Sequence, residues 1–149
     1  MKTTILLVED SKMQRLANER ILRKAGYTVL NASDGEEALR VARENIPDLI
    51  LLDMLLPKLR GRDVLRALKH DPTTTHIPVV IFSGLPQSNE KKLKKEGAAA
   101  YFAKQRLVGT GQDGRKELIR LIDESLHKSG NASEQHSKKS SCGAATGSD

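Results

Sequence analysis

Two short, continuous apolar runs break off at acids, and this pattern limits the fold more than anything else in the chain. Ile5-Leu6-Leu7-Val8 is followed by Glu9 and Asp10, and Leu49-Ile50-Leu51-Leu52 by Asp53. Runs without polar alternation read as strands of a parallel sheet buried on both faces, with charge at their C-terminal ends. In open α/β sheets that edge is where ligands bind. If the two strands are neighbours, three carboxylates converge. Each unit-charge pair about 5 Å apart then costs roughly 3 kcal/mol at an effective dielectric of about 20. Such a cluster calls for a proton, a metal ion or a lysine. Two later runs end on suitable companions: Val79-Val80-Ile81-Phe82 on Ser83, and Ala100-Tyr101-Phe102-Ala103 on Lys104.

Between these runs the chain alternates strand and helix five times, which predicts a doubly wound parallel sheet. Met13, Leu16, Ala17 and Ile21 fall at helical spacing and predict the buried stripe of the first helix, with Gly26 as its stop. Tyr27 to Ala32 reads as a short strand. The second helix starts at Ser33 or Asp34, each with a glutamate three residues on. Ala38, Leu39, Val41 and Ala42 supply its apolar side. Val64, Leu65 and Leu68 mark a third helix that ends before Asp71-Pro72. A short lysine-rich helix runs from about Asn89 to Glu96. The last, from about Asp113 to His127, buries Leu118, Ile119, Leu121, Ile122 and Leu126.

Length and composition bound the rest. The chain has 149 residues, enough for one domain plus an extension. Residues 129–149 contain no Val, Ile, Leu, Met or Phe and six serines, too little apolar surface to offset the entropy of ordering. They read as a flexible tail after a domain at 1–128. The single cysteine, Cys142, suits a reducing compartment. No apolar stretch approaches a membrane span or a signal sequence, so a soluble, cytoplasmic protein is expected. The net charge of +6 sits in the folded part, because the tail's two lysines balance Glu134 and Asp149. Charge alone could suggest nucleic acid, but no helix-turn-helix follows and only four aromatics are available for stacking.

The segments Ile5-Leu6-Leu7-Val8-Glu9-Asp10, Leu51-Leu52-Asp53-Met54-Leu55-Leu56-Pro57, Ile81-Phe82-Ser83-Gly84 and Tyr101-Phe102-Ala103-Lys104, in that order, resemble the response-regulator receiver domain of two-component signalling. The resemblance runs from about Thr3 to Lys128. It implies a flavodoxin-like α/β fold with strand order 2-1-3-4-5 and five helices. It implies further that Asp53 accepts a phosphoryl group, that Glu9, Asp10, Asp53 and the backbone carbonyl of Leu55 hold Mg2+, and that Lys104 meets the phosphoryl oxygens. Ser83 would sense the product, and Tyr101 would be the switch aromatic. The implied donor is a phosphohistidine on a sensor histidine kinase or phosphotransfer protein. Output would pass through the face formed by the fourth helix, fifth strand and fifth helix, where Lys91, Lys92, Lys94 and Lys95 could steer an acidic partner.

Several residues depart from the family pattern. Gln105 stands where relatives carry proline after the lysine. A cis bond without proline costs about 3–4 kcal/mol, so a trans peptide is expected after Lys104. Arg60 replaces the usual acid or amide before Gly61. Leu55 and Leu85, at the positions that flank the phosphoryl group in relatives, cannot orient a water, so slow self-dephosphorylation is expected. The departures keep open a receiver that acts as an interaction module without phosphorylation, and the serine-rich tail, read as a linker, keeps open a receiver cut from a longer regulator or hybrid kinase.

Three other readings fail. Gly109-Thr110-Gly111-Gln112-Asp113-Gly114 spells a dinucleotide fingerprint, but no strand follows to complete a βαβ unit. An aspartate-nucleophile phosphatase needs a second acid two residues after the nucleophile, where this chain has Leu55. The four histidines show no metal-ligand spacing.

Overall fold

The computed structural model describes residues 3–54, 60–84, 90–104 and 112–141, with side chains from 114 to 128 in the last stretch. Five parallel strands form one sheet: β1 Thr4–Val8, β2 Thr28–Ala32, β3 Leu49–Asp53, β4 Val79–Ser83 and β5 Ala100–Ala103, in the order β2-β1-β3-β4-β5. The helices are α1 Lys12–Lys24, α2 Gly35–Asn45, α3 Gly61–His70, α4 Glu90–Lys95 and α5 Gln112–Ser141. This is the doubly wound parallel sheet expected from the alternation of apolar runs and helical stripes, in the flavodoxin-like strand order that the family resemblance implies.

The strand residues divide by parity. Leu6, Val8, Ile50, Leu52, Val79 and Ile81 join one cluster with Val41 of α2, Leu65 and Leu68 of α3 and Leu93 of α4. Ile5, Leu7, Leu49, Leu51, Val80 and Phe102 join the other with Leu22 of α1 and Leu118 and Ile122 of α5. Because side chains alternate along a strand, neighbouring leucines serve opposite faces, which is why these strands need no polar residue until their ends.

Helix boundaries follow from local chemistry. Asp34 caps α2 by accepting from the Glu37 amide at 2.8 Å, while the Glu37 carboxylate accepts from the Ser33 amide at 2.7 Å. Both predicted caps therefore take part. Gly26 and Gly97, with φ of +100° and +116°, stop α1 and α4 in a backbone region that glycine enters without a Cβ penalty.

Two expectations are corrected. Met13 and Leu16 are 81% and 53% exposed, and Ala17 is exposed too, so the apolar stripe of α1 faces outward. Its inward side carries half-buried Ser11 and Arg15 and buried Asn18 and Leu22. Polar groups are needed there because Arg15 donates to the Glu9 carbonyl at 3.0 Å and the Ser11 amide faces the Glu9 carboxylate at 3.4 Å. The last helix, expected to end near His127, continues to Ser141. No proline interrupts residues 128–141, and adding a residue to an existing helix costs far less than nucleating one.

Candidate functional site

Strand register builds the site. In the β1–β3 ladder Val8 stands opposite Leu52, so the next residues, Glu9 and Asp53, lie side by side at the C-terminal edge. In β4, Phe82 stands opposite Asp53, which puts Ser83 one step beyond. Ser83 pairs with Ala103 of β5, and the Lys104 amide donates to the Ser83 carbonyl at 2.8 Å. The Glu9 amide in turn donates to the Ala32 carbonyl at 3.0 Å, so this acid remains tied to the ladder. The ends of β1, β3, β4 and β5 thus converge.

The side chains meet as their spacing implied. Oxygens of Glu9, Asp10 and Asp53 all lie within 4.8 Å of one another. Lys104 Nζ donates to Glu9 Oε2 and to Asp53 Oδ2, both at 3.1 Å. The two carboxylate side chains are only 2% and 5% exposed, the lysine 21%, so this charge-assisted pairing sits at the rim of the core. Burial, and then the neighbouring Asp53, push the Glu9 carboxyl up to about 7, against the opposing pull of Lys104. The lysine therefore does not fully offset the crowding of negative charge. Hard carboxylate oxygens at this spacing suit Mg2+, which prefers oxygen and binds one or two carboxylates beside its waters. Ser83 is fully buried, and Tyr101 is 7% exposed within the cluster that α3 and α4 cover.

Four contributors escaped the sequence reading. Gln14 Oε1 accepts from Lys104 Nζ at 2.9 Å, Arg15 holds the Glu9 carbonyl, and the Phe82 ring lies 5.4 Å from the ammonium. Gly61 is the fourth. A Cβ there would stand 2.5 Å from the Asp53 carbonyl oxygen and 2.6 Å from Met54 Cα, and the Gly61 amide donates to the Met54 carbonyl at 3.0 Å. Only glycine lets α3 start against the backbone that carries Asp53. Its proximity is a tertiary fact with no local signature. Arg60, the residue before it, sits at the α3 N-cap with no side-chain cap bond.

The Leu55 carbonyl, Leu85, Gln105 with its peptide bond, and the glycines at 109 and 111 lie outside the described residues. Lys91, Lys92, Lys94 and Lys95 are exposed on α4, and Lys94 pairs with Glu90 at 2.8 Å. Among the described residues, no helix is long and apolar enough to cross a membrane.

Residues 5–108 match the family of the response regulator receiver domain. Over 105 residues the chain is 33% identical to the polar-differentiation response regulator DivK of Brucella anthropi, covering 70% of this chain and 85% of that protein. It is 39% identical over 120 residues to the gliding motility regulatory protein of Myxococcus xanthus, covering 80% of this chain but 15% of that relative. The chain thus spans most of one relative and a small part of the other. It is similar in structure to the receiver domain of a sensor histidine kinase from Pseudomonas aeruginosa PAO1, which has a magnesium ion coordinated in its active-site cleft. That match has a TM-score of 0.72 at 29% identity, over 85% of this chain and 99% of that one.

Proposed function

Because the chain belongs to the family of response regulator receiver domains, we propose that it is the phosphoacceptor switch of a two-component phosphorelay, with Asp53 as acceptor. The observation that carries this reading is the Lys104 ammonium, 3.1 Å from both Glu9 and Asp53 at the convergent strand ends. Receiver domains are signalling domains rather than ordinary enzymes, so this one is a substrate and switch that assists its own modification.

In the reaction, an Asp53 carboxylate oxygen attacks the phosphorus of a phosphohistidine on a sensor kinase or phosphotransfer protein. A P–O bond forms as the P–N bond breaks, and the departing imidazole nitrogen keeps the electron pair. Glu9, Asp10, Asp53 and the Leu55 carbonyl would hold Mg2+, which supplies charge neutralisation at the transferring oxygens. Lys104 shifts from the Asp53 carboxylate to a phosphoryl oxygen. The Ser83 hydroxyl donates to the product, and its movement with Tyr101 repositions the surface above β4 and β5. Output then passes through the α4–β5–α5 face, where the exposed lysines steer an acidic partner. Replacing all four with glutamate should slow association with that partner, read by stopped flow; an unchanged on-rate removes the steering role. Residues 1–128 would form the receiver and 129–149 the tail.

The deciding experiment incubates the chain with acetyl phosphate and Mg2+ and reads intact mass, wild type beside Asp53→Asn. A single phosphoryl gain in wild type only, abolished by chelation, is expected. No gain, from acetyl phosphate or from a phosphohistidine donor, would make the chain an interaction module that works without phosphorylation.

A further inference from the structure

A groove of about 650 Å³ lies between α1 and α5, away from the phosphoryl site. Its floor is apolar: Ala17, Ile21 and Ala25 from α1 and Ile119 from α5. Its rims are cationic, with Arg20 and Lys24 on one side and Arg115, Lys116 and Arg120 on the other. All five cations are exposed, and none forms an ion pair with a described carboxylate. The sole acid in the lining, Asp123, accepts a hydrogen bond from the Tyr27 hydroxyl. A solvated surface that needed only solubility would intersperse both signs.

We propose that this groove docks an acidic amphipathic helix of a partner protein, with leucine-sized side chains against the floor and carboxylates against both rims. Spacing argues for a helix. Ala17, Ile21 and Ala25 recur every four residues, so they form one ridge about 12 Å long, or two turns. The small alanines on either side of Ile21 leave dents into which a facing helix can set its own side chains. The rim cations Arg20 and Lys24 repeat at the same interval, so carboxylates one turn apart on the partner meet them in register.

The lining disfavours other occupants. A second copy of this chain would set five cations against five, at a face with one carboxylate each. Nucleic acid binds through basic grooves interleaved with stacking aromatics or base-reading amides, and this lining has no aromatic, hydroxyl or amide side chain. Small-molecule sites need a few precisely placed polar groups to orient the ligand, whereas every polar group here is a long, exposed side chain or Asp123. Apolar floor and cationic rims together are met by a segment that is apolar on one side and acidic at its flanks. The docking does not depend on Asp53 and uses a surface apart from the α4 lysines.

The test titrates the full, 15N-labelled chain with a helical peptide of about 18 residues, long enough to hold helical structure. It carries leucines at i, i+4, i+8 and i+11 with glutamates on both flanks. Amide shifts confined to residues 17–25 and 115–123 are expected. Arg20→Glu combined with Arg120→Glu should weaken binding about tenfold or more, as loss of complementary charge does. Ala17→Arg, which fills an exposed dent without touching the core, should do likewise. Asp53→Asn and Lys91→Glu should leave affinity unchanged. The proposal fails if the peptide shifts only α4 residues, or if a lysine-flanked version binds equally well. Equal binding by polyglutamate or a DNA duplex also overturns it, because the groove would then be a general sink for polyanions.

Discussion

Among the described residues, one face of the sheet, under α2, α3 and α4, gathers nineteen buried hydrophobic residues into a cluster, whereas the face under α1 and α5 gathers twelve. The contrast is sharpest between single helices. In its 10 residues α3 buries Val64, Leu65 and Leu68, while the 13 residues of α1 bury only Leu22 among their apolar side chains and leave Met13 and Leu16 in solvent. A helix that holds the fold spends its apolar residues inward. α1 instead turns most of its apolar residues outward, and on its inward side Ser11 and Arg15 bond to Glu9 at the acidic strand end. The two faces therefore divide the buried core unevenly.

The largest test of that division is a pair of truncations. Leu68→Ala, in the core beneath α3, should cost about 3 kcal/mol, within the range for fully buried leucines. Leu16→Ala on α1 should stay within about 0.5 kcal/mol, as exposed positions do. Chemical denaturation measures both, and comparable losses would collapse the distinction. Gly61→Ala comes next. Its Cβ would press on backbone atoms of Asp53 and Met54, which cannot rotate aside, so about 2 kcal/mol is expected. Phosphoryl uptake should fall with it if Asp53 is the acceptor proposed above, because the strain acts on the backbone that carries it. Full uptake in a destabilised variant would separate the cradle from the chemistry.

The smallest test sharpens the picture of the α2–α3 side. Asp71 accepts from Arg43 of α2 at 2.8 Å and from the Thr73 hydroxyl at 2.7 Å. The Thr73 bonds first, and then Arg43, hold its carboxyl down at about 2, below the ordinary 3.8. A depressed folded value means the unfolded chain takes the proton first. The stabilisation is therefore complete above pH 3.8 and disappears as the pH falls toward 2. Thermal midpoints of wild type should drop more steeply over that window than those of Asp71→Asn. Parallel curves would show that this latch adds nothing.

Strands β1, β3, β4 and β5 were legible because four apolar residues in a row, closed by an acid, a hydroxyl or a lysine, have few other uses. The same pattern marked the candidate site: Glu9, Asp53, Ser83 and Lys104 are each the first polar residue after a buried run, with Asp10 directly after Glu9, and parallel register brings such positions together. What stayed hidden depends on phase and on tertiary contact. Helical spacing identifies a stripe but not the direction it faces, so Met13, Leu16 and Ala17 read as core when Ser11, Arg15, Asn18 and Leu22 face inward. Gln14 is an ordinary amide until Lys104 reaches it across the sheet edge, and Gly61 is an ordinary glycine until α3 is laid against Asp53. The end of α5 was misjudged because low hydrophobicity argues against packing, which a helix continuing from a docked turn does not require.

Leu51 and Leu52 are adjacent and fully buried, yet belong to opposite clusters. Methyl labels on the two would work as a two-channel recorder within one strand. An event confined to the α1–α5 side would perturb the Leu51 resonance alone, an event on the α3–α4 side the Leu52 resonance alone, and displacement of the strand as a whole would be heard in both.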